Sequence, residues 1–379
     1  MTSPPPDGHG SAIVAFYGEV STGTGGDVAA RVTLQTIADR VGVSRMTVSN
    51  AFSKPDQLSA ALRSRILAAA DELGYVGPDP TARALARGTT GTIGIVLTSS
   101  LRFAFTDQVA TRFLGAIAEE LAPTGLAITL LTSADSGAIV PARDLAMDGA
   151  LIYSCDPTSS VVEVLSRRRM PLVYVDQDPV AEVSSVNVDD RAGARAAAQH
   201  LVDLGHRRIG LLLSGLHGPH GVVDPGTLPA DGHASRQRLL GWQDALRPAG
   251  ITPPAVRQDG TGLEPARHAA HLLLDRPDRP TAVLCFSDVV AHGVLQAAAE
   301  LGIEVPHDLS VAGFDDNPIA VQVRPALTTV RQDVEAKGRA AAAALTAAIA
   351  QSRTTGDITP QHVLLPTGLV VRDSTAPPP

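Results

Sequence analysis

The sequence predicts an N-terminal all-α helix-turn-helix headpiece followed by an α/β body with doubly wound parallel sheets. Between residues 33 and 73, apolar residues recur every three or four positions, which is the spacing of short helices that share one core. From Thr92 onwards, short apolar runs alternate with helical patterns, as they do in parallel α/β sheets. At 379 residues the chain is also longer than a single core usually serves.

Residues 1–31 precede these patterns and are rich in Pro, Gly, Ser and Thr, so we expect a disordered leader. The sequence has no run of about 18 apolar residues to span a membrane, and no signal peptide. Cys155 and Cys285 lie in apolar stretches without the spacing of a disulfide framework or a zinc site. We therefore expect a cytoplasmic protein with no metal and no other cofactor.

The distribution of charge limits where nucleic acid could bind. The formal charge of the chain is −8, which argues against a protein that coats nucleic acid. Residues 32–92, however, carry seven Lys/Arg against five Asp/Glu. Any contact with DNA is therefore expected in this small N-terminal part, with the acidic body facing away.

The segment 45–52 is predicted to form a helix that is held by one face and contacts DNA with the other. Val48, Ala51 and Phe52 share an inward stripe, and Ser44 is a good N-cap. A helix of this diameter fits the major groove, where outward side chains reach base edges. These outward side chains are Arg45, Met46, Ser49 and Asn50.

Two flanking helices give this segment a scaffold. The first begins after a Thr33 cap and ends at Gly42, and a tight glycine-containing turn between two helices makes a helix-turn-helix. A third helix begins after Ser59 and stops at Gly74. A plain helical hairpin inside a larger fold would show the same spacing, so the spacing alone leaves both interpretations open.

Residues 78–91 are predicted to form a hinge helix and linker. Asp79 can cap the helix, Pro80 suits its first position and Gly88 can end it. A helix of about eight residues falls below the roughly 12–15 that an isolated helix needs, so it should stay mostly unfolded until something packs against it. The alternative is a linker with a helical tendency.

In the body, predicted strands alternate with predicted helices. The strands are 93–97, 126–131, 150–153, 172–175, 209–213, 282–286 and 310–312, and the helices lie near 108–121, 161–169, 190–204, 234–247, 264–275, 289–301 and 333–350. Ligands bind such sheets beyond the carboxyl ends of the strands. The polar residues at these ends are Thr98, Ser99, Ser100, Asp176, Ser214, Ser287, Asp288 and Asp315.

Several motifs occur in the order of one known family. They are Gly42-Val43-Ser44-Arg45-Met46-Thr47-Val48-Ser49, Ala82-Arg83-Ala84-Leu85-Ala86-Arg87-Gly88, His200-Leu201-Val202-Asp203-Leu204-Gly205-His206 and Val311-Ala312-Gly313-Phe314-Asp315-Asp316. With them, the sequence resembles the lactose-repressor/galactose-repressor (LacI/GalR) family from about residue 32 to about residue 373. The resemblance implies a bacterial, nucleoid-associated transcriptional regulator, expected to act as a repressor, that binds a near-palindromic operator as a homodimer.

The resemblance also implies which residues contact DNA. A hinge helix that folds on the operator would insert a leucine, here Leu85, between base steps in the minor groove. The predicted DNA-binding residues are Thr33, Leu34, Ser44, Arg45, Met46, Thr47, Ser49, Asn50, Ala82 and Leu85. Met46 and Asn50 depart from the residues frequent at their positions, so the resemblance does not extend to the operator's base sequence.

For the body, the resemblance implies two lobes arranged as in a periplasmic sugar-binding protein, with a small effector in the cleft between them. Lobe 1 would hold about 92–188 and 333–361, and lobe 2 about 189–332 and 362–373. Arg238 matches an arginine that binds ligand hydroxyls, and guanidinium and carboxylate groups pair well with the vicinal hydroxyls of a sugar. The predicted effector-binding residues are Ser99, Phe103, Phe105, Asp176, Arg238, Trp242, Asp288 and Asp315.

Some of these residues have simpler interpretations. Asp288 could cap the helix that follows it as well as bind ligand. Asp315 could have no role beyond closing a turn. Aromatic residues make up 3% of the chain, so few rings can stack on a sugar face. The candidates are Phe103, Phe105, Phe314 and Trp242.

The stretch 214–234 is a Gly/Pro/His-rich loop longer than is usual in the family. His217, His220 and His233 suggest a metal, but no helix or strand fixes their spacing, so a mobile flap near the cleft is the preferred interpretation.

The sequence lacks a Gly-x-Ser-x-Gly elbow, a phosphate-cradling glycine loop and a metal-ligand cluster, so we expect no enzyme. Two alternatives remain for the regulator: control by a protein co-repressor, or a sugar-binding module without regulatory coupling.

Overall fold

The computed structural model describes residues 32–77, 79–97, 101–132, 141–154, 159–215, 219–226 and 232–379. The chain divides into two compact units between Ala86 and Arg87. The expected leader, residues 1–31, lies outside the described residues. Within the described ranges, no helix is long and apolar enough to cross a membrane.

The N-terminal unit contains the predicted helix-turn-helix and third helix. The helices are α1 (Leu34–Val41), α2 (Arg45–Ser53) and α3 (Ala60–Glu72), with a 3-10 turn at Pro55–Gln57. Gly42 joins α1 to α2 with a φ of 76°, a left-handed conformation that glycine adopts without strain. Ile37, Val48 and Ile66 are fully buried where the three helices meet. This core fixes α2 through its inward stripe and leaves its other face exposed.

Helix α4 (Pro80–Arg87) corresponds to the predicted hinge helix. The backbone N–H of Arg83 donates to the carbonyl of Asp79 at 2.9 Å, which closes the first turn. The helix ends where Gly88 adopts a φ of 66°. Its eight residues fall below the roughly 12–15 that an isolated helix needs, and the low intrinsic stability of α4 stays a prediction.

Lobe 1 of the body is built on a six-stranded, all-parallel sheet. Its strands, in spatial order, are β12 (His362–Leu365), β5 (Ser184–Val188), β4 (Leu172–Val175), β3 (Gly149–Tyr153), β1 (Thr92–Leu97) and β2 (Ala127–Thr132). One face packs against α5 (Leu101–Thr106), α6 (Gln108–Leu121) and α14 (Val334–Thr354), and the other against α7 (Pro141–Asp144) and α8 (Ser160–Arg167). A 3-10 turn at Ala122–Thr124 follows α6.

Lobe 2 is built on a seven-stranded sheet that is parallel except for its two edge strands. The order is β13 (Thr367–Val370), β11 (Thr328–Gln332), β10 (Ser310–Asp315), β9 (Ala282–Cys285), β6 (Ile209–Leu213), β8 (Ala255–Arg257) and β7 (Gly221–Val223). Helices α9 (Asp190–Asp203) and α10 (His233–Leu246) cover one face, and α11 (Leu263–Leu274) and α12 (Asp288–Glu300) the other. The short α13 (Ile319–Gln322) follows β10.

The predicted fold class is confirmed, and one predicted lobe boundary is wrong. The seven predicted strands correspond to β1–β4, β6, β9 and β10. The expected third crossing near residue 362 is incorrect, because β12 pairs in parallel with β5 of lobe 1. That crossing falls at residue 366 instead. β12 is a half-exposed edge strand, so its lobe is decided by its pairing with β5 and not by its apolar pattern.

Helices α9 and α10 pack so closely that Gly241 has no room for a side chain. A Cβ atom there would lie 2.3 Å from the Arg191 carbonyl oxygen and 2.9 Å from the Ala194 Cβ. We predict that Gly241→Ala lowers the free energy of unfolding by about 1–3 kcal/mol, because the two helices must separate.

Gly115 in α6 provides a matched control, since a Cβ atom added there would have no other atom within 4 Å. Gly115→Ala should raise the free energy of unfolding by about 0.5–1 kcal/mol through helix propensity alone. Urea denaturation followed by circular dichroism measures both. Equal effects of the two substitutions would show that the α9–α10 contact is not tight.

Candidate functional site

Two side chains on the outward face of α2 are exposed to solvent. Arg45 is exposed, and Met46 is 68% exposed. Ser44 caps the helix, since its Oγ accepts from the Thr47 backbone N–H at 3.0 Å, and the two hydroxyls lie 2.8 Å apart. Arg45 and Met46 are therefore the side chains most available to a base edge.

The other predicted DNA-binding residues are partly engaged within the headpiece. Asn50 is half-buried, and its Nδ2 donates to Gln57 Oε1 at 3.2 Å. Thr33 caps α1, and Leu34 packs on the headpiece core. Ser49 is half-buried. On α4, Leu85 is 87% exposed, while the Ala82 side chain lies outside the described part of the chain.

In the body, a buried chain of polar contacts runs between the two lobes. It begins at Asp176, directly after β4 of lobe 1, and ends at Asp190 in α9 of lobe 2. The links are Asp176 Oδ2 to Lys337 Nζ (2.6 Å), Lys337 Nζ to Gln332 Oε1 (3.1 Å), Gln332 Nε2 to Asp315 Oδ1 (2.7 Å), Asp315 Oδ1 to an Arg238 Nη (3.4 Å) and Arg238 Nε to Asp190 Oδ1 (2.8 Å). Because every member is buried, the chain sets how the lobes meet.

Arg238 is the most heavily contacted member of this chain. Its guanidinium donates to Asp190 and, at 2.6 Å, to the backbone carbonyl of Phe286. Its central carbon lies 3.6 Å from the ring centroid of Phe314 and 4.6 Å from that of Phe286. Burial opposes the charged form, but Asp190 and Asp315 outweigh it, so the pKa of Arg238 is raised.

The buried carboxyl groups outnumber the buried cations. Four buried carboxyl groups, those of Asp176, Asp190, Asp288 and Asp315, lie in this region, and the buried cations paired with them are Arg238 and Lys337. Burial raises the pKa of Asp315 to about 6, against the opposing effect of Arg238. Burial and the neighbouring Asp176 raise the pKa of Asp190, although Arg238 again opposes. The site is therefore one in which carboxyl groups take up protons readily.

The backbone is strained at the same edge of the sheets. Asp176 has a φ of 52° and Asp315 a φ of 113°, and Ser154 at the end of β3 has a φ of 53°. Such left-handed conformations are uncommon outside glycine and tend to concentrate at binding sites. All three residues follow or end parallel strands, where the sheet geometry predicts a ligand site.

The structure corrects the interpretation of Asp288. The N-cap of α12 is Ser287, whose Oγ accepts from the Val290 N–H, so the expectation that Asp288 caps this helix is wrong. Its carboxylate instead accepts from the Thr329 hydroxyl at 2.5 Å and the Asn317 N–H at 2.9 Å. Burial, and next Asp315, raise its pKa well above the ordinary value. Asp288 braces the carboxyl end of the lobe 2 sheet.

Two of the predicted stacking rings are buried in lobe 2. Trp242 is 2% exposed and packs in the core beneath α10, and Phe314 lies under Arg238. Neither ring presents a free face to the cleft, so their predicted stacking on a ligand is not supported. Phe105 is 70% exposed on α5. Ser99 and the Phe103 side chain lie outside the described residues.

Sequence reasoning missed Lys337, which pairs with Asp176, and Asp190, which pairs with Arg238. Lys337 shares the inward stripe of α14 with Val334, Ala341 and Leu345 at helical spacing. A lysine on an otherwise apolar stripe is a signal that could have identified it. Asp190 was missed because it directly follows Asp189 at the start of α9. Two acids at a helix start are readily explained by capping, and Asp189 does cap this helix.

The described histidines of the 214–234 stretch contact different residues. His233 Nδ1 lies 2.8 Å from Asp178 Oδ1, and His220 Nδ1 lies 2.8 Å from the Gln258 carbonyl oxygen. His217 lies outside the described residues. Within the described ranges, no three His, Cys, Asp or Glu side chains are placed to hold a metal ion.

A helix-turn-helix unit joined through a short helix to a two-lobed body of periplasmic-binding-protein type defines a class of bacterial transcriptional regulators. Residues 33–77 match the family model of bacterial regulatory proteins of the lacI family. Residues 198–375 match the periplasmic binding protein-like domain. The transcriptional regulator IpsA of Corynebacterium glutamicum is 37% identical over 318 residues, which cover 81% of this chain and 88% of that relative.

Solved structures agree. The crystal structure of the Lac repressor dimer bound to operator and the anti-inducer ONPF has a TM-score of 0.73 and 27% identity, covering 91% of this chain and 99% of that one. The transcriptional regulator CelR–cellobiose complex has a TM-score of 0.63 and 28% identity, covering 91% and 100%. The chain belongs to the LacI family. It is thus a DNA-binding transcriptional regulator and not an enzyme.

The pKa of Asp315 makes a prediction about stability and pH. The folded value of about 6 exceeds the ordinary 3.8, so between these pH values the folded protein holds a proton that the unfolded chain has lost. Stability contributed by this group is present at low pH and falls as pH rises through that window. Asp315→Asn cannot titrate. The unfolding free energy of wild type minus that of the variant should therefore fall by up to about 3 kcal/mol between pH 4 and 7.

Urea unfolding of both proteins across this pH range measures the difference. A difference that stays flat, or rises with pH, would contradict a raised pKa at Asp315.

Proposed function

We propose that this regulator is a repressor that binds a near-palindromic operator as a homodimer and is controlled by a small polyhydroxylated ligand, a sugar or sugar derivative, in the cleft between the lobes. A single three-helix headpiece offers few base contacts, which favours pairing two headpieces on two half-sites. The ligand would bind among Asp176, Arg238, Asp315 and the residues that join them.

The observation that carries the ligand class is a set of buried acceptor atoms without donors. Within the described part of the chain, Asp176 Oδ1, Asp190 Oδ2 and Gln177 Oε1 are buried and have no hydrogen-bond partner. An unsatisfied buried acceptor costs about 1–3 kcal/mol. A ligand that donates several hydroxyl protons would satisfy these atoms, whereas a carboxylate or phosphate would be repelled by them. These acceptor atoms therefore favour an uncharged polyol as the ligand.

Two solved relatives support this choice through what they bind. CelR was solved with cellobiose, and the Lac repressor dimer was solved with operator and the anti-inducer ONPF. Both structures share the fold of this chain over 91% of its length. A sugar in the cleft and an operator bound by a dimer are consistent with these relatives.

The linker after α4 offers a route from the cleft to the hinge. The backbone N–H groups of Thr90 and Gly91 donate to the two Asp148 oxygens at 2.7 and 2.9 Å. Asp148 is also paired with Arg353 of α14 at 2.9 Å. The point where the hinge segment enters lobe 1 is thus fixed to that lobe. A ligand that repositions the lobes would change the spacing of the two hinges in a dimer, and with it the stability of α4.

The first test concerns Arg45. If its guanidinium contacts a guanine edge, Arg45→Ala should weaken operator binding by roughly 1–3 kcal/mol and relax specificity at one symmetric base pair. Fluorescence anisotropy on a selected operator and its single-base variants measures this. Arg40→Ala is the control, because it removes the same charge from an exposed residue of α1. Equal losses across all sequences would make Arg45 a phosphate contact instead.

The second test concerns Arg238. A thermal-shift screen of sugars and polyols on the full chain identifies a ligand. Arg238→Lys keeps the charge but loses the planar fork, so it should weaken that ligand by about tenfold or more while operator affinity stays nearly unchanged. Arg195→Lys, on the exposed side of α9, is the matched control. Leu85→Ala should have the opposite effect, weakening operator binding and sparing the ligand.

Coupling is tested by titrating the same ligand with and without operator DNA. Linkage requires that each partner change the affinity of the other by the same factor. Equal ligand affinities in the two titrations would exclude the cleft ligand as the regulatory signal, and a screen without any hit would favour a protein co-repressor.

A further inference from the structure

Lobe 2 contains a second cavity beside the interlobe cleft, with a volume of about 220 Å³. It lies between one face of α10 and the strands β6 and β8, and residues 225 and 226 close one side. A cavity of about 150 Å³ accommodates a benzene ring, so this space is large enough for a ring with one attached polar group.

The polar part of the wall is strongly basic. Three guanidinium groups line it, together with three neutral hydrogen-bonding side chains. They are Arg236, Arg247 and Arg257, with Ser214, Ser235 and Gln243. Among the described residues, the wall contains no aspartate or glutamate. Planar guanidinium groups bind the oxygens of carboxylate and phosphate in pairs, which makes this wall complementary to an anion.

Arg257 gives this wall a buried charge. Arg257 lies at the end of β8 and is 3% exposed. Burial lowers the pKa of its guanidinium. Arg247 lies near the end of α10, where its Nη2 donates to Gln243 Oε1 at 2.8 Å, so these two side chains are held side by side on one helix face.

The rest of the wall is apolar and includes two aromatic side chains. Trp242 and Phe286 line the cavity with Leu239 and Leu240. An inorganic ion would leave this surface without a partner, whereas an organic anion with an apolar body would cover it.

The cavity is chemically distinct from the cleft. Arg238 and the buried acids of the cleft are not in its wall. Phe286 lies between the two sites, since it lines the cavity and its ring contacts the Arg238 guanidinium. The cleft offers carboxylates to a hydroxyl-rich ligand, and the cavity offers guanidinium groups to an acid.

We propose that this cavity is a second ligand site of the regulator, which takes a small organic anion, a carboxylate or phosphate monoester with an apolar body. Arg257 and Arg247 hold the anionic group, and Trp242 and Phe286 contact the apolar body. The site is additional to the cleft and does not depend on what the cleft binds.

One wall residue connects the site to the position of the lobes. Arg236 forms an ion pair with Asp178, which follows β4 in lobe 1, and His233 contacts the same carboxylate. A ligand in the cavity therefore lies in a site whose wall also contributes a contact between the lobes.

The test uses phenyl phosphate and benzoate as probes, with benzyl alcohol as the uncharged control. Trp242 is the only tryptophan of the chain, so its fluorescence reports directly on the cavity. Each probe is titrated into the full-length protein, with excitation at the red edge of tryptophan absorption. We expect saturable binding of at least one anion and none of benzyl alcohol. The ratio of the two anion affinities tells a phosphate site from a carboxylate site.

Substitutions locate the binding. Arg257→Met should weaken the anion by about tenfold or more, as expected for loss of a charge-assisted hydrogen bond. Arg276→Gln removes a charge from an exposed ion pair of the same lobe and should have no effect. If Arg257→Met does not fold, as judged by circular dichroism, the less buried Arg247→Gln decides, with a loss of several-fold expected.

Three results would overturn the proposal. The first is no fluorescence change and no binding by equilibrium dialysis up to about 10 mM of either anion, which corresponds to negligible affinity. The second is that benzyl alcohol binds as well as the anions. The third is a loss of anion affinity in Arg238→Lys as large as that in Arg257→Met, which would place the anion in the cleft. Sugar binding retained in Arg257→Met keeps this test separate from the proposed role of the cleft.

Discussion

The buried Arg238 guanidinium is the constraint on which the arrangement of the body depends. A buried charge is tolerated only when it is paired and hydrogen-bonded, and Arg238 meets this condition through Asp190, Asp315 and the Phe286 carbonyl. Asp315 in turn holds Gln332, which holds Lys337 of the other lobe. Removing any member leaves an unpaired buried group, so the lobes are held together by contacts that are costly to lose one at a time.

In the proposed function, a ligand in the cleft acts on the same contacts. Asp176 and Asp190 each use one oxygen for a cation and leave the other without a donor in the described part of the chain. A molecule that brings hydroxyl donors can satisfy these atoms and rearrange the chain of contacts without leaving a bare charge. Thr90 and Gly91 are tied to Asp148 of lobe 1, which is the contact through which the proposed change in the lobes would act on the hinge segment.

The sequence by itself determined the fold class, the headpiece helices and seven of the strands. Local rules suffice for the headpiece, since caps at Thr33, Ser44 and Ser59 and a glycine turn act within a few residues. The strands that were found are mostly apolar runs covered on both faces, whereas β5 is equally buried but carries Ser184, Ser185 and Asn187 and was missed. The rule that ligands bind beyond strand ends selected Asp176 and Asp315, and the family motif selected Arg238.

Only the tertiary structure decided which of these groups meet and how they are used. Lys337 and Asp190 come from helices far along the chain from Asp176 and Arg238, and no local pattern pairs residues 161 or 48 positions apart. Ser287, rather than Asp288, caps α12 because packing of the lobe 2 sheet brings Thr329 and Asn317 to the Asp288 carboxylate. Edge strand β12 belongs to lobe 1 because it pairs in parallel with β5. Spacing along the chain fixes the elements, whereas partners depend on burial and geometry across the fold.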